Sequence, residues 1–195
     1  YFQNLLIQTL EKIPYNLWKS LNKITFTFDE EANRGSASSK QVKLRIVNVD
    51  NKEFVAVLVH EIGHITDLGS LTGEQESGVS AFPDGKQATY KNDKSVEFYS
   101  AYWENSKKIL PNSDIDSNFI SGYSKSDIFE HFGETFLTYI LHPSLLKNRN
   151  KKQYDYFKNT VFKGFEYNDY SNVQNFDEYF YDATLLPYDL ESFLE

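Results

Sequence analysis

One short motif, His60-Glu61-Ile62-Gly63-His64, constrains this chain more than any other stretch of its sequence. If residues 53–68 form a helix, the four-residue spacing places His60 and His64 on one face, one turn apart. Both imidazole rings can then reach a single metal ion. Glu61 lies beside the open metal position, where it can take a proton from water as a general base. The motif therefore predicts a catalytic zinc ion with His60 and His64 as ligands.

The residues around the motif support a buried helix. The run Glu53-Phe54-Val55-Ala56-Val57-Leu58-Val59 leads into it, and Asp50 or Asn51 is a natural N-cap. Four apolar side chains recur at helical spacing: Val55, Leu58, Ile62 and Ile65. Histidines on a buried helix are costly unless something pairs them, so a metal explains them better than solvation does.

Composition excludes several classes of protein. The net charge of −8 argues against nucleic acid and anionic membrane surfaces as partners. The sequence has no apolar run long enough to predict a membrane span, and the absence of cysteine excludes disulfides and thiolate zinc sites. A length of 195 residues suits one domain, which we assign to residues 4–195. Residues 1–3 resemble the remnant of a protease-tag site and are left out of the fold prediction.

Before the motif, the pattern predicts two short helices and two strands. Residues 4–22 have helical spacing that Pro14 interrupts. Residues 24–28 and 41–49 alternate apolar and polar side chains, which is typical of strands. The polar residues 29–40 between them are predicted to form a loop.

After the motif, the pattern predicts further helices and two irregular segments. The predicted helices are 95–110, 127–141 and 150–162. Residues 69–94 are rich in Gly, Ser and Lys and suit a surface loop over or beside the site. The acidic and aromatic residues 165–195 form an appendage that either docks as a C-terminal helix or stays mobile.

A catalytic zinc ion needs a third protein ligand. The candidates downstream are Asp67, Glu130, His131, Glu134 and His142. Asp67 is better placed to accept a hydrogen bond from a ligand than to bind the metal. Glu134 is the only charged residue in the run FGETFLTYIL (132–141), so its carboxylate should be neutralised or coordinated. We therefore predict Glu134 as the third ligand, and Gly133 as a point of close helix approach.

The motif His60-Glu61-Ile62-Gly63-His64, with Asp67 after it and Glu130-His131-Phe132-Gly133-Glu134 downstream, resembles the zinc peptidase domain of anthrax lethal factor and the bacterial Pro-Pro endopeptidases. The similarity extends to the strand at residues 42–46. It covers roughly residues 40–67 and 120–141.

The resemblance implies zinc ligands His60, His64 and Glu134 and the general base Glu61. It also implies a tyrosine before the third ligand that stabilises the oxyanion, and Tyr123 lies at a suitable position. Secretion from a bacterium is implied as well. Residues 29–40 lack the tryptophan that the Pro-Pro endopeptidases carry there, so proline specificity does not follow.

These observations predict an α+β, zincin-like domain, with a small twisted sheet packed on the motif helix and on a second helix that carries the third ligand. The predicted function is zinc metalloendopeptidase, with a protein or peptide substrate extended along an edge strand at residues 42–47. Two alternatives stay open: an inactive zincin-like binding or toxin-docking domain, and a structural zinc site closed by His131 or His142.

Overall fold

The computed structural model describes residues 1–83, 88–173 and 180–195, in which helices and short strands combine as in the α+β class. Parts of the predicted loop 69–94 and of the tail 165–195 lie outside these residues. The helices are α1 (Phe2–Lys12), α2 (Tyr15–Trp18), α3 (Asn51–Ile65), α4 (Ser95–Tyr102), α5 (Ile128–Leu141), α6 (Pro143–Arg149), α7 (Lys151–Tyr156) and α8 (Leu190–Leu194). The strands are β1 (Lys23–Thr27), β2 (Gly35–Ala37), β3 (Gln41–Arg45), β4 (Trp103–Asn105) and β5 (Lys108–Ile109).

The motif lies on α3, the helix at the centre of the structure. Asp50 caps this helix, because its Oδ1 accepts a hydrogen bond of 2.8 Å from the Glu53 N–H, which confirms the predicted N-cap. Every residue from Phe54 to Ile65 is buried, and a π-helical turn at Thr66–Ser70 follows. The predicted buried helix is therefore confirmed, and its burial forces the motif side chains to find partners inside the protein.

Helix α5 packs against α3 and brings the candidate ligands Glu130 and Glu134 close to the motif. Two glycines allow this approach: a Cβ atom on Gly63 would lie 3.1 Å from the Gly133 Cα. A Cβ atom on Gly133 would lie 3.0 Å from the Cε1 and Nε2 atoms of His60. The predicted close approach at Gly133 is confirmed, and the contact surface includes the imidazole of His60.

The three-stranded sheet has the order β1-β3-β2, with β1 parallel and β2 antiparallel to β3. The predicted strands at 24–28 and 41–49 are found as β1 and a shorter β3. The predicted loop 29–40 was wrong in part, because it contains β2. Its small residues Gly35-Ser36-Ala37 carry little strand signal and are held by pairing with β3.

This strand order corrects the predicted position of the substrate. The prediction placed a peptide along residues 42–47, but β3 already pairs on both sides and has no free edge. The edge strand beside α3 is β2. A Cβ atom on Gly35 would lie only 2.3 Å from the Oε1 of Glu61 and 2.7 Å from the Cγ1 of Val57, so only glycine allows β2 to lie this close to the motif.

Two predicted helices differ in their bounds, and one helix was not predicted. The helix expected at 95–110 ends at Tyr102, and the residues after it form the β4–β5 hairpin. The helix expected at 150–162 ends at Tyr156 and continues as a π-helical turn, Phe157–Val161. Helix α6 was not predicted; Pro143 occupies its first turn, where a missing N–H has no cost.

Both ends of the described chain pack onto the core. Phe2, which was predicted to belong to a tag remnant, lies in α1 with its ring centroid 4.7 Å from that of Phe54. In the tail, Tyr188 and Phe193 are 1% exposed, and α8 contacts α1. The C-terminal helix therefore docks in the described part of the chain. No helix among the described residues is long and apolar enough to cross a bilayer.

Candidate metal centre

Three side chains converge at the contact between α3 and α5. The Nε2 atoms of His60 and His64 are 3.1 Å apart, and the Oε2 of Glu130 lies 3.1 Å from the first and 3.7 Å from the second. Tetrahedral ligands at zinc bond lengths are separated by about 3.3 Å. These three atoms therefore form a group that could hold a metal ion.

Glu134, the predicted third ligand, does not reach this triangle of atoms. Its Oε1 accepts a hydrogen bond of 3.0 Å from the Nδ1 of His60, on the opposite side of that ring from Nε2. Its Oε2 accepts hydrogen bonds from the Ser121 hydroxyl at 2.6 Å and the Ala183 N–H at 2.7 Å. Glu134 is fully buried, as predicted, but its partners are protein groups.

The contact with Glu134 determines how His60 presents its lone pair. When the Nδ1–H of His60 donates to the carboxylate, the neutral ring keeps Nε2 unprotonated and directed at the centre of the triangle. Carboxylates behind ligand histidines orient the ring and raise its basicity. Glu134 therefore orients the ring of His60 and lies outside the group of three atoms that could hold a metal ion.

The two histidines of the triangle and the carboxylate of Glu130 attract one another electrostatically. Burial would lower the pKa of His60, but hydrogen bonds to Glu130 and Glu134 outweigh it and raise the pKa well above its usual value. Burial would raise the pKa of Glu130, but its hydrogen bonds to His60 and His64 lower it. The two histidines and the carboxylate thus favour a positive charge between them, and a cation bound there would displace a proton.

Glu61 lies beside the triangle and lines the same cavity as His60, His64 and Glu130. Burial raises the pKa of its carboxyl group, although the two histidines act in the opposite direction. Among the described residues, its Oε2 is buried and has no hydrogen-bond partner. An acceptor held without a partner next to a metal position is suited to take a proton from a bound molecule.

Tyr123 begins a short 3₁₀ turn, Tyr123–Lys125, and its ring centroid is 6.3 Å from that of His60. It lines the same cavity as Glu61. Burial and the adjacent Glu130 carboxylate raise the pKa of its hydroxyl well above the usual range, so the phenol stays protonated and remains a donor. The structure therefore brings the predicted Tyr123 to the site.

The cavity has a volume of about 660 Å³ and opens in front of the triangle. One wall is formed by residues 32–37, which include β2, and another by Tyr181, Asp182 and Thr184 of the tail. Neither wall was predicted from the sequence. The loop 69–94, expected over or beside the site, contributes no lining residue from its described parts.

The other predicted ligand candidates have partners elsewhere. The Nδ1 of His131 accepts a hydrogen bond of 3.0 Å from the Trp103 indole, and its Nε2 lies 3.0 Å from the Gln153 amide nitrogen. The Nδ1 of His142 lies 3.0 Å from the Ser171 hydroxyl. Burial lowers the pKa of each of the two rings to about 3. Neither histidine closes the triangle with a fourth ligand.

Asp67 was expected to accept a hydrogen bond from a ligand. The structure pairs its Oδ2 with the hydroxyl of Tyr99, and among the described residues its Oδ1 is buried without a partner. Burial raises the pKa of Asp67 to about 7, against the hydrogen bonds from Tyr99 and Ser95. Asp67 therefore lies in the π-helical turn after α3, where it contacts α4.

Comparison with protein-family models, curated proteins and solved structures found no match. The case for a function therefore rests on the arrangement of this chain's own residues. The similarity to the lethal factor and Pro-Pro endopeptidase family stays a prediction.

Proposed function

We propose that this protein is a zinc metalloendopeptidase with a zincin-like fold. The observation that carries the proposal is the triangle of His60, His64 and Glu130, with the Oε2 of Glu61 beside it and without a hydrogen-bond partner among the described residues. Two imidazole nitrogens and one carboxylate oxygen are the donor set of many catalytic zinc sites, which keep one position open. The spacing of the three atoms fits zinc, and no other described histidine lies near enough to fill the open position.

In this proposal Glu130 replaces Glu134 as third ligand, and Glu134 holds the ring of His60. Zinc, when bound, would supply a Lewis acid and make water acidic enough to ionise near neutral pH. Glu61 takes the proton of the attacking water on its free oxygen. It then delivers that proton to the nitrogen of the departing amine. Its burial favours both steps, because a carboxyl with a raised pKa holds the proton between them.

The substrate would extend along β2. The Arg45 N–H bonds to the Arg34 carbonyl at 2.9 Å, so Arg34 points its backbone groups at β3. In an antiparallel ladder the direction alternates, and Gly35 and Ala37 therefore point theirs at the free edge. These groups line the cavity and are available to a peptide added as a further strand. The substrate class is accordingly a protein or peptide in extended form.

The proposal is tested by cleavage of a mixed peptide library with and without metal. We expect the zinc-loaded protein to cleave peptides and the chelated protein to cleave none, and one equivalent of zinc to restore the activity. A zinc-loaded protein that binds peptides without cleaving any would support a docking domain instead. A protein whose zinc rejects a hydroxamate would support a closed structural site.

Tyr123 is proposed to donate its hydroxyl to the developing oxyanion. We expect Tyr123→Phe to lower kcat by about 10² to 10³ with KM and zinc content nearly unchanged, because such a donor acts mainly in the transition state. The ring and its packing are kept in this variant. A change in kcat of less than about threefold would show that Tyr123 only packs against the site.

A further inference from the structure

The tail segment at residues 180–184, which we call the C-terminal wall, forms hydrogen bonds with residues of the candidate site and their neighbours. The Gly122 N–H donates to the Phe180 carbonyl at 2.8 Å, and the Tyr123 N–H donates to the Tyr181 carbonyl at 2.6 Å. The Ala183 N–H donates to Glu134 at 2.7 Å. The backbone of the wall is therefore held in one position relative to the proposed catalytic residues.

The side chain of Tyr181 is exposed although its backbone is held. It is 70% exposed and lines the cavity, with its ring centroid 6.4 Å from that of Tyr123. A tyrosine side chain has only two side-chain torsions, so it loses little conformational entropy when a ligand covers it, and it offers a large apolar surface. The ring is therefore accessible to a ligand in the cavity.

The charged groups next to Tyr181 are paired within the protein. Asp182 forms an ion pair with Arg34, and Arg34 also donates to Thr184 at 2.9 Å and to Glu53 at 3.3 Å. The wall therefore directs no unpaired charge of Asp182 or Arg34 at the ring. This arrangement favours an uncharged partner for Tyr181 over an acidic or basic one.

We propose that Tyr181 forms a specificity subsite that selects a large aliphatic or aromatic side chain of the substrate. The selected residue lies within about two residues of the cleaved bond, since the ring is 6.4 Å beyond Tyr123 and an extended chain advances about 3.3 Å per residue. This inference rests on the proposed peptidase function. It adds the preferred side chain and the residue that reads it.

The test compares paired peptides that carry Phe or Ala at each position flanking the cleaved bond. At one of these positions we expect the wild type to prefer Phe in kcat/KM by about tenfold or more, and Tyr181→Ala to reduce that ratio to about two or less. General damage to the site would lower kcat/KM for both peptides and leave the ratio unchanged. The ratio therefore separates a specificity residue from a structural one.

Leu185→Ala is the matched control, because Leu185 lies next to the wall and is 65% exposed but does not line the cavity. We expect it to keep the wild-type ratio. A preference that survives in Tyr181→Ala, the absence of any Phe preference, or a preference for charged residues would overturn the inference while leaving the peptidase function intact.

Cleavage of no peptide by the zinc-loaded wild type would overturn the peptidase function instead. The inference would then be judged on binding of the same fluorescent peptides. Equal dissociation constants for the Phe and Ala peptides, or a Phe preference that Tyr181→Ala retains, would overturn it. A preference that Tyr181→Ala abolishes would support Tyr181 as a recognition residue of a binding domain.

Discussion

We expect the Glu61→Gln variant to bind zinc like the wild type and to hydrolyse peptides at least about 10²-fold more slowly. Glu61 is not one of the three residues that could hold the metal ion, so its replacement leaves their donor atoms in place. The amide keeps the size of the side chain and the contact with β2 but cannot take a proton from water. Metal content by mass spectrometry and single-turnover cleavage of one peptide measure the two effects separately.

Glu11→Gln is a suitable control for this experiment, because Glu11 is exposed on α1 and lies outside the cavity lining. It makes the same chemical change and should leave both zinc content and rate unaltered. Cleavage by Glu61→Gln at the wild-type rate would show that another group accepts the proton, and the proposed mechanism would be wrong.

The features that the sequence predicted well are those set by local patterns. The helix at α3 follows from its apolar run and from the predicted cap at Asp50, and α5 follows from the apolar run at residues 132–141. Both signals lie within a few residues of the structure they determine. The pairing of these helices through Gly63 and Gly133 was indicated only on the side of Gly133.

The features that the sequence missed depend on residues distant along the chain. β2 has the composition of a loop and is a strand only because β3 lies beside it. The C-terminal wall joins the site through the hydrogen bond from the Ala183 N–H to Glu134, two residues that are 49 positions apart in the sequence. No period or spacing reports such a contact, so neither wall of the cavity could be assigned in advance.

The choice between Glu130 and Glu134 shows the same limit within one helix. A buried carboxylate does need a partner, and the isolation of Glu134 among apolar residues predicted this much. The partner proved to be the ring of His60 together with Ser121 and Ala183. Glu130 lies one turn earlier, among polar residues, and therefore looked solvated. Its Oε2 nevertheless lies 3.1 Å from the Nε2 of His60 and 3.7 Å from the Nε2 of His64.

These two residues form a matched pair for the last prediction. Glu130→Ala should lose zinc on dialysis, because it removes one of the three proposed protein ligands. Glu134→Gln should keep the ion with an affinity weakened by about 10- to 100-fold, the usual cost of losing a carboxylate behind a ligand histidine. Chelator competition on both variants gives the two dissociation constants. Zinc bound tightly by Glu130→Ala and lost by Glu134→Gln would restore Glu134 as the ligand. Equal weakening in both would show that neither carboxylate binds the metal alone.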